Sequence, residues 1–167
     1  MMPTDLAASF YEVVLAVHIM AVVIAFGVTF AYPIMFAVAG RQDPRGLPLV
    51  HRIEYTIERM LINPALGLVL IAGIYLASKG HYWSDFFVQW GLAAVLVIGA
   101  LVGAVLVPTA KRAEQIAARD LAASGEGQAL EMSAEYRALV RRSSIVGTLL
   151  SVLVLVTILF MALHVGA

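Results

Sequence analysis

Four apolar runs, Phe10–Ala39, Ile57–Ala77, Phe86–Val107 and Ser144–His164, constrain this chain more than any other feature. Each is long enough to cross about 30 Å of hydrocarbon as a helix rising about 1.5 Å per residue. The first run, about 45 Å long, has to tilt, bend or protrude, and Pro33 is the expected bend. With 62% hydrophobic and only 13% charged residues, a water-soluble globule is excluded. The expected fold is all-α: residues 1–167 form a single transmembrane domain, a four-helix bundle in a lipid bilayer. Lys+Arg and Asp+Glu balance at eleven each, which gives no reason to expect a nucleic-acid partner. The lack of cysteine removes disulfides, thiolate metal sites and thiol nucleophiles together.

The basic residues orient the bundle. Arg41, Arg45, Arg52 and Arg59 lie between spans one and two or at the start of span two, and Lys111, Arg112, Arg119, Arg137, Arg141 and Arg142 lie between spans three and four. Only Lys79 falls on the other side. The positive-inside rule places the basic side in the cytoplasm and both termini outside, in a bacterial inner membrane. The N-terminus carries Asp5 and Glu12 and no basic residue, unlike a signal peptide, so the first span is expected to stay in the mature protein. Gly40–Pro48 reads as a turn. From Lys111 to Ala123 and again from Gln128 to Arg142 the pattern favours helix, broken at Ser124–Gly127. This predicts a helical hairpin carrying spans three and four about 18 Å into the cytoplasm.

Polar groups inside the spans are where function is sought first. With span one entering near Glu12, His18 is expected about 9 Å below the outer surface, and Tyr11, His18, Ala25, Thr29, Tyr32 and Phe36 share one helical face, expected to point into the bundle. A neutral imidazole there can ligate haem iron or another metal, pass a proton, or hydrogen-bond a neighbouring helix. The topology also brings His81 and His164 to the outer half, so His18, His81 and His164 form a candidate metal set, although no HxH, HxxxH or HExxH spacing occurs.

The entry to span two is densely polar, with His51, Arg52, Glu54, Tyr55, Glu58, Arg59 and Asn63. Glu54 and Glu58 form a like-charge i,i+4 pair that needs cations between, for which Arg137, Arg141 and Arg142 stand at the right depth. The cluster reads either as an interfacial ion-pair belt or as an anion or haem-propionate site using Arg59. Tyr82, Trp83, Phe86, Phe87 and Trp90 form an interfacial aromatic belt. Gly99 and Gly103 make a GxxxG patch, suited to packing inside the bundle or to a homodimer or other membrane partner.

The pairs His18-Ile19, Phe26-Gly27 and Tyr32-Pro33, the run Glu58-Arg59-Met60-Leu61 followed by Pro64-Ala65 and Gly73, and the Arg141-Arg142 and Met161 positions carry a resemblance over nearly the whole chain. On these residues the chain resembles a family of uncharacterised bacterial four-helix membrane proteins. More distantly it is similar to the HemJ-type protoporphyrinogen oxidases and the CopD-type copper-resistance membrane proteins. The HemJ side of the resemblance implies haem at His18; a b-type haem there would take its second ligand from His164, His81 or solvent, the groups that the topology brings to the same side. The chain departs from the HemJ pattern at Ile34 and in Trp90–Leu106, where basic residues are missing.

Three readings follow: a haem-binding redox protein, a cofactor-free scaffold using the hairpin and the GxxxG face, and a CopD-like metal or proton conduit along Tyr11, His18, Thr29 and Tyr32. No nucleotide-binding loop, hydrolase elbow or zinc-protease motif is present.

Overall fold

The computed structural model describes residues 9–124 and 131–166. Four helices long and apolar enough to cross a membrane make up almost all of it: α1 (Phe10–Gln42), α2 (Pro44–Gly80), α3 (Phe86–Ala123) and α4 (Ala134–Leu163). Each outruns its apolar sequence run at one end or both, because the hydrogen-bond ladder of a helix continues past the first charge while hydropathy does not.

Local chemistry sets the ends. Helix α1 begins with a capping box, in which the Glu12 N–H donates to Ser9 Oγ at 3.3 Å and the Ser9 N–H to Glu12 Oε2 at 2.7 Å. The expected Gly40–Pro48 turn contracts to Asp43, whose extended backbone separates Gln42 from Pro44 and whose Oδ1 accepts the Arg45 N–H at 3.0 Å. Helix α1 therefore continues through Gly40, and α2 starts well before Ile57.

Helix α1 packs on α2, α2 on α3, and α3 on α4. A seam of small residues runs between α1, where Ala21 and Ala25 are buried, and the small buried face of α2 that includes Ala65 and Ala72. Near the far end Gly91 of α3 receives Met161 of α4. The GxxxG patch is not used inside the bundle. Gly103 and its neighbours Ala100 and Ala104 are exposed, and a Cβ added at Gly99 or Gly103 would meet nothing within 4 Å.

Beyond the apolar runs, the extension is broader than a hairpin of two helices. Leu47 from the start of α2 is buried with Ala113, Ile116, Ala117 and Tyr136, and Phe36 and Ala39 of α1 pack on the same cluster. Of the expected break at Ser124–Gly127, Ser124 ends α3 with an extended backbone, and 125–127 and the restart at Gln128 lie outside the described residues. Within them, Glu131–Ser133 is not helical and α4 begins at Ala134. Ser133 caps it by accepting the Tyr136 N–H at 3.2 Å, and its own N–H donates to Asp120 Oδ2 at 2.9 Å. Glu135 accepts from Arg112 at 2.9 Å and Arg119 at 3.2 Å.

The Ser133 hydroxyl and N–H hold the Asp120 carboxyl below its ordinary range. That stabilisation is present above the ordinary carboxylate pKa and fades as pH falls through the lowered value. Ser133→Ala is expected to cost about 1 kcal/mol, the ordinary worth of an N-cap, read as a lower unfolding temperature in detergent near neutral pH. The deficit should shrink on acidification; a pH-independent deficit would mean that Ser133 does not act through Asp120.

Candidate functional site

Three of the four helices are broken at similar depth, each just ahead of a proline. Helix α1 tightens into a 3₁₀ turn at Val28–Ala31 before Tyr32-Pro33. Helix α2 widens into a π turn at Glu58–Ile62 before Asn63-Pro64, and α3 does the same at Val102–Leu106 before Val107-Pro108. Proline has no N–H, and its ring crowds the carbonyl four residues earlier, so the preceding turn must change pitch. In both π turns the N–H before the proline reaches back five residues, from Asn63 to Glu58 and from Val107 to Val102. Such turns redirect side chains and recur at functional sites.

These breaks surround a cavity of about 330 Å³ lined by all four helices. Its wall on α4 runs from Val140 to Val154, about 21 Å of helix, from the middle of the bundle into the extension. Toward the middle the lining is Phe26, Ile62, Ile98, Leu150 and Val154; toward the extension it carries Tyr32, His51, Glu54, Glu58, Thr109 and Ser143. Helix α4 contributes Gly147 and Ser151, and a Cβ added at Gly147 would meet nothing within 4 Å.

Glu58 is 3% exposed and its Oε2 has no hydrogen-bond partner; nor has the buried Tyr32 hydroxyl. Beside them runs a bonded chain. His51, 4% exposed, bonds Glu54 Oε2 through Nδ1 at 3.0 Å and the Tyr136 hydroxyl through Nε2 at 2.8 Å. With Glu54 as a carboxylate, Nδ1–H donates to it and Nε2 of the neutral ring accepts from Tyr136. Phe36 covers the imidazole, with ring centroids 4.6 Å apart.

No lysine or arginine enters this cavity. All eleven Lys and Arg side chains are exposed and none lines it. Arg137, Arg141 and Arg142 do not stand between Glu54 and Glu58 as expected, because α4 turns Val140, Ser143 and Ser144 inward and leaves the arginines outside. Arg59 also points outward and donates to the Tyr55 hydroxyl at 2.8 Å. Arg52 and Asn63 share that exposed face.

The expected inward seam of α1 divides in two. Thr29, Tyr32 and Phe36 line the cavity, while His18 and Ala25 face α2 outside it. Nδ1 of His18 bonds the Val69 carbonyl at 3.0 Å, so in the neutral ring it is the donor and Nε2 keeps the free lone pair. Gly73 makes room for the ring: a Cβ there would lie 3.3 Å from Cε1. This arrangement ties α1 to α2 and lends no support to a haem at His18.

His81 and His164 are exposed C-cap residues of α2 and α4, held in the left-handed region at φ of 59° and 50°. Their N–H groups close the helix ends on Ala77 and Phe160. Among the described residues no group of three or more His, Asp and Glu side chains is placed to hold a metal ion, so His18, His81 and His164 are not gathered into one site. Since a left-handed residue with a Cβ costs about 1 kcal/mol, His81→Gly is expected to leave thermal stability unchanged or to raise it by about that amount. A loss exceeding 1 kcal/mol would assign the imidazole a ligating or bonding role.

The family model described as "Predicted integral membrane protein (DUF2269)" matches residues 12–164. The chain belongs to the DUF2269 family. No curated protein and no solved structure matches it, so the similarity to HemJ-type and CopD-type proteins gains nothing from these comparisons. The match covers all four helices of this DUF2269 protein and therefore every wall of the cavity. Of the cavity's polar groups, sequence reasoning finds Thr29, Tyr32 and the Glu54–Glu58 pair but gives no role to His51 or Tyr136. A signal exists in the i, i+3, i+7 spacing of His51, Glu54 and Glu58, which puts three titratable groups on one helical face.

Proposed function

We propose that this DUF2269 protein is a small-cation or proton conduit whose site is the cavity around Glu58. The observation that supports the reading is Glu58, 3% exposed, whose buried Oε2 has no hydrogen bond in a cavity no Lys or Arg reaches. A buried carboxylate with no counter-charge exists only by holding a proton or accepting a cation from outside. Inside a membrane such groups mark ion and proton routes. Glu54, His51 and Tyr136 extend the route as a hydrogen-bonded chain toward the extension. With the basic side in the cytoplasm, this cavity would occupy the cytoplasmic half of a bacterial inner-membrane bundle.

Purified protein reconstituted in vesicles with a trapped pH dye tests the proposal. Under an imposed proton gradient the parent should dissipate the gradient faster than protein-free vesicles, and Glu58→Gln should return the rate to that background. The lipid-facing Gly103→Leu should keep the parent rate. A parent no faster than empty vesicles, or a Glu58→Gln variant as fast as the parent, would overturn it. The haem and scaffold readings predict no dependence of flux on Glu58.

A further inference from the structure

We infer that the cavity takes an amphipathic organic cation, a protonated amine carrying a small apolar body. The inference rests on the reading that a positive charge enters at Glu58, and it concerns what carries that charge.

Size comes first. The cavity is about 330 Å³, at the lower end of small-molecule sites and far larger than the share of one water, about 30 Å³. A bare metal ion would leave most of it empty, and no group of three His, Asp or Glu side chains among the described residues is placed to hold one.

The distribution of chemistry comes second. The acceptors Glu58 Oε2 and Tyr32 Oη lie buried without partners, and they can take an ammonium N–H without first breaking a protein hydrogen bond. Toward the middle of the bundle the lining turns apolar at Phe26, Ile98 and Val154. A ligand that fits both parts has a cationic head at the level of Glu58 and Tyr32 and a hydrocarbon body beyond it. An anion is excluded by Glu54 and Glu58, and a neutral apolar solute would leave Glu58 Oε2 unpaired.

Helix α4 keeps the space open. Its Gly147 contributes no side chain to the wall, and the Ser151 hydroxyl is turned back onto the Gly147 carbonyl at 2.9 Å. Gly147→Leu would project a side chain into the space assigned to the ligand, since even a Cβ there meets no neighbour within 4 Å.

The test uses the full chain in a detergent free of amines, with benzylamine as probe and benzyl alcohol as its neutral counterpart, read by calorimetry. The parent should bind benzylamine and not benzyl alcohol. Glu58→Gln and Gly147→Leu, each checked for monodispersity, should each weaken benzylamine binding roughly tenfold or more, the first by removing a charge-assisted bond and the second by removing room. Equal binding of benzylamine to parent and Glu58→Gln, or equal binding of the alcohol and the amine, would overturn the inference. A parent that binds no benzylamine while its proton flux still depends on Glu58 would overturn the organic cation alone and leave the conduit reading standing. Loss of both in a folded parent would sink the conduit reading itself.

Discussion

Glu58→Met should make this protein more stable while destroying its proposed activity. Burying a polar group without a hydrogen bond costs about 1–3 kcal/mol, and Glu58 Oε2 and the Tyr32 hydroxyl are both in that position. Methionine is unbranched and of similar length, and it fills irregular space without strain. Even a buried ion pair can often be replaced by apolar side chains of similar volume with neutral or stabilising effect, by about 1–4 kcal/mol, and Glu58 has no pair energy to lose. The unfolding temperature of the detergent-purified variant should therefore rise, by the equivalent of about 1–3 kcal/mol.

His51→Ala should act in the opposite direction. It strands Glu54 and the Tyr136 hydroxyl together and removes the ring under Phe36, a loss of about 2 kcal/mol or more. Thermal unfolding of the two variants beside the parent checks both signs. A Glu58→Met variant clearly less stable than the parent would show that Glu58 is a structural element with a partner, and the case for an exchangeable charge in the cavity would go with it.

That pair of residues also shows where sequence reasoning stops. Hydropathy depends on composition summed over whole helices, so the four spans are legible without any knowledge of packing. The breaks before Pro33, Pro64 and Pro108 are legible in part, because a missing N–H is a local fact. What such a break does to the register is less so. A π turn adds a residue to one turn, and a wheel drawn at a constant angle loses phase beyond Glu58 and Val102.

The side chains that decide the site depend on contacts no local pattern encodes. His51 meets Tyr136 across the chain, and the arginines expected between Glu54 and Glu58 turn outward because α4 presents its small residues there. His81 and His164 look like ligands by position. Their left-handed backbone gives each a helix-ending role that position alone does not reveal.

Ala25→Leu should be among the most damaging single changes in the bundle, and Gly103→Leu among the mildest. The GxxxG motif in α3 says which backbone surface another helix can approach, not which one it does approach. In this fold Gly103 faces open space, and the close approach is made instead by Ala21 and Ala25 against the small residues of α2. Ala25 is 0% exposed, so a larger side chain has no route out that does not push α1 away from α2. Helices in lipid gain little from hydrophobicity when they associate and depend on close packing, so the separation is not offset elsewhere.

Overpacking of this kind costs about 1–3 kcal/mol, while a change on an open surface stays within about 0.5 kcal/mol. Unfolding followed by the fluorescence of Trp83 and Trp90 should register the contrast. Equal stabilities for the two variants would mean that α1 does not pack through Ala25. The consequence reaches the site as well, because Ala25 stands one turn above Thr29 and ahead of the 3₁₀ break that carries Tyr32 to the cavity. A wedge at this seam should shift Thr29 and Tyr32 in the cavity wall they share with Glu58, and proton flux through Ala25→Leu should fall even at temperatures where the variant remains folded.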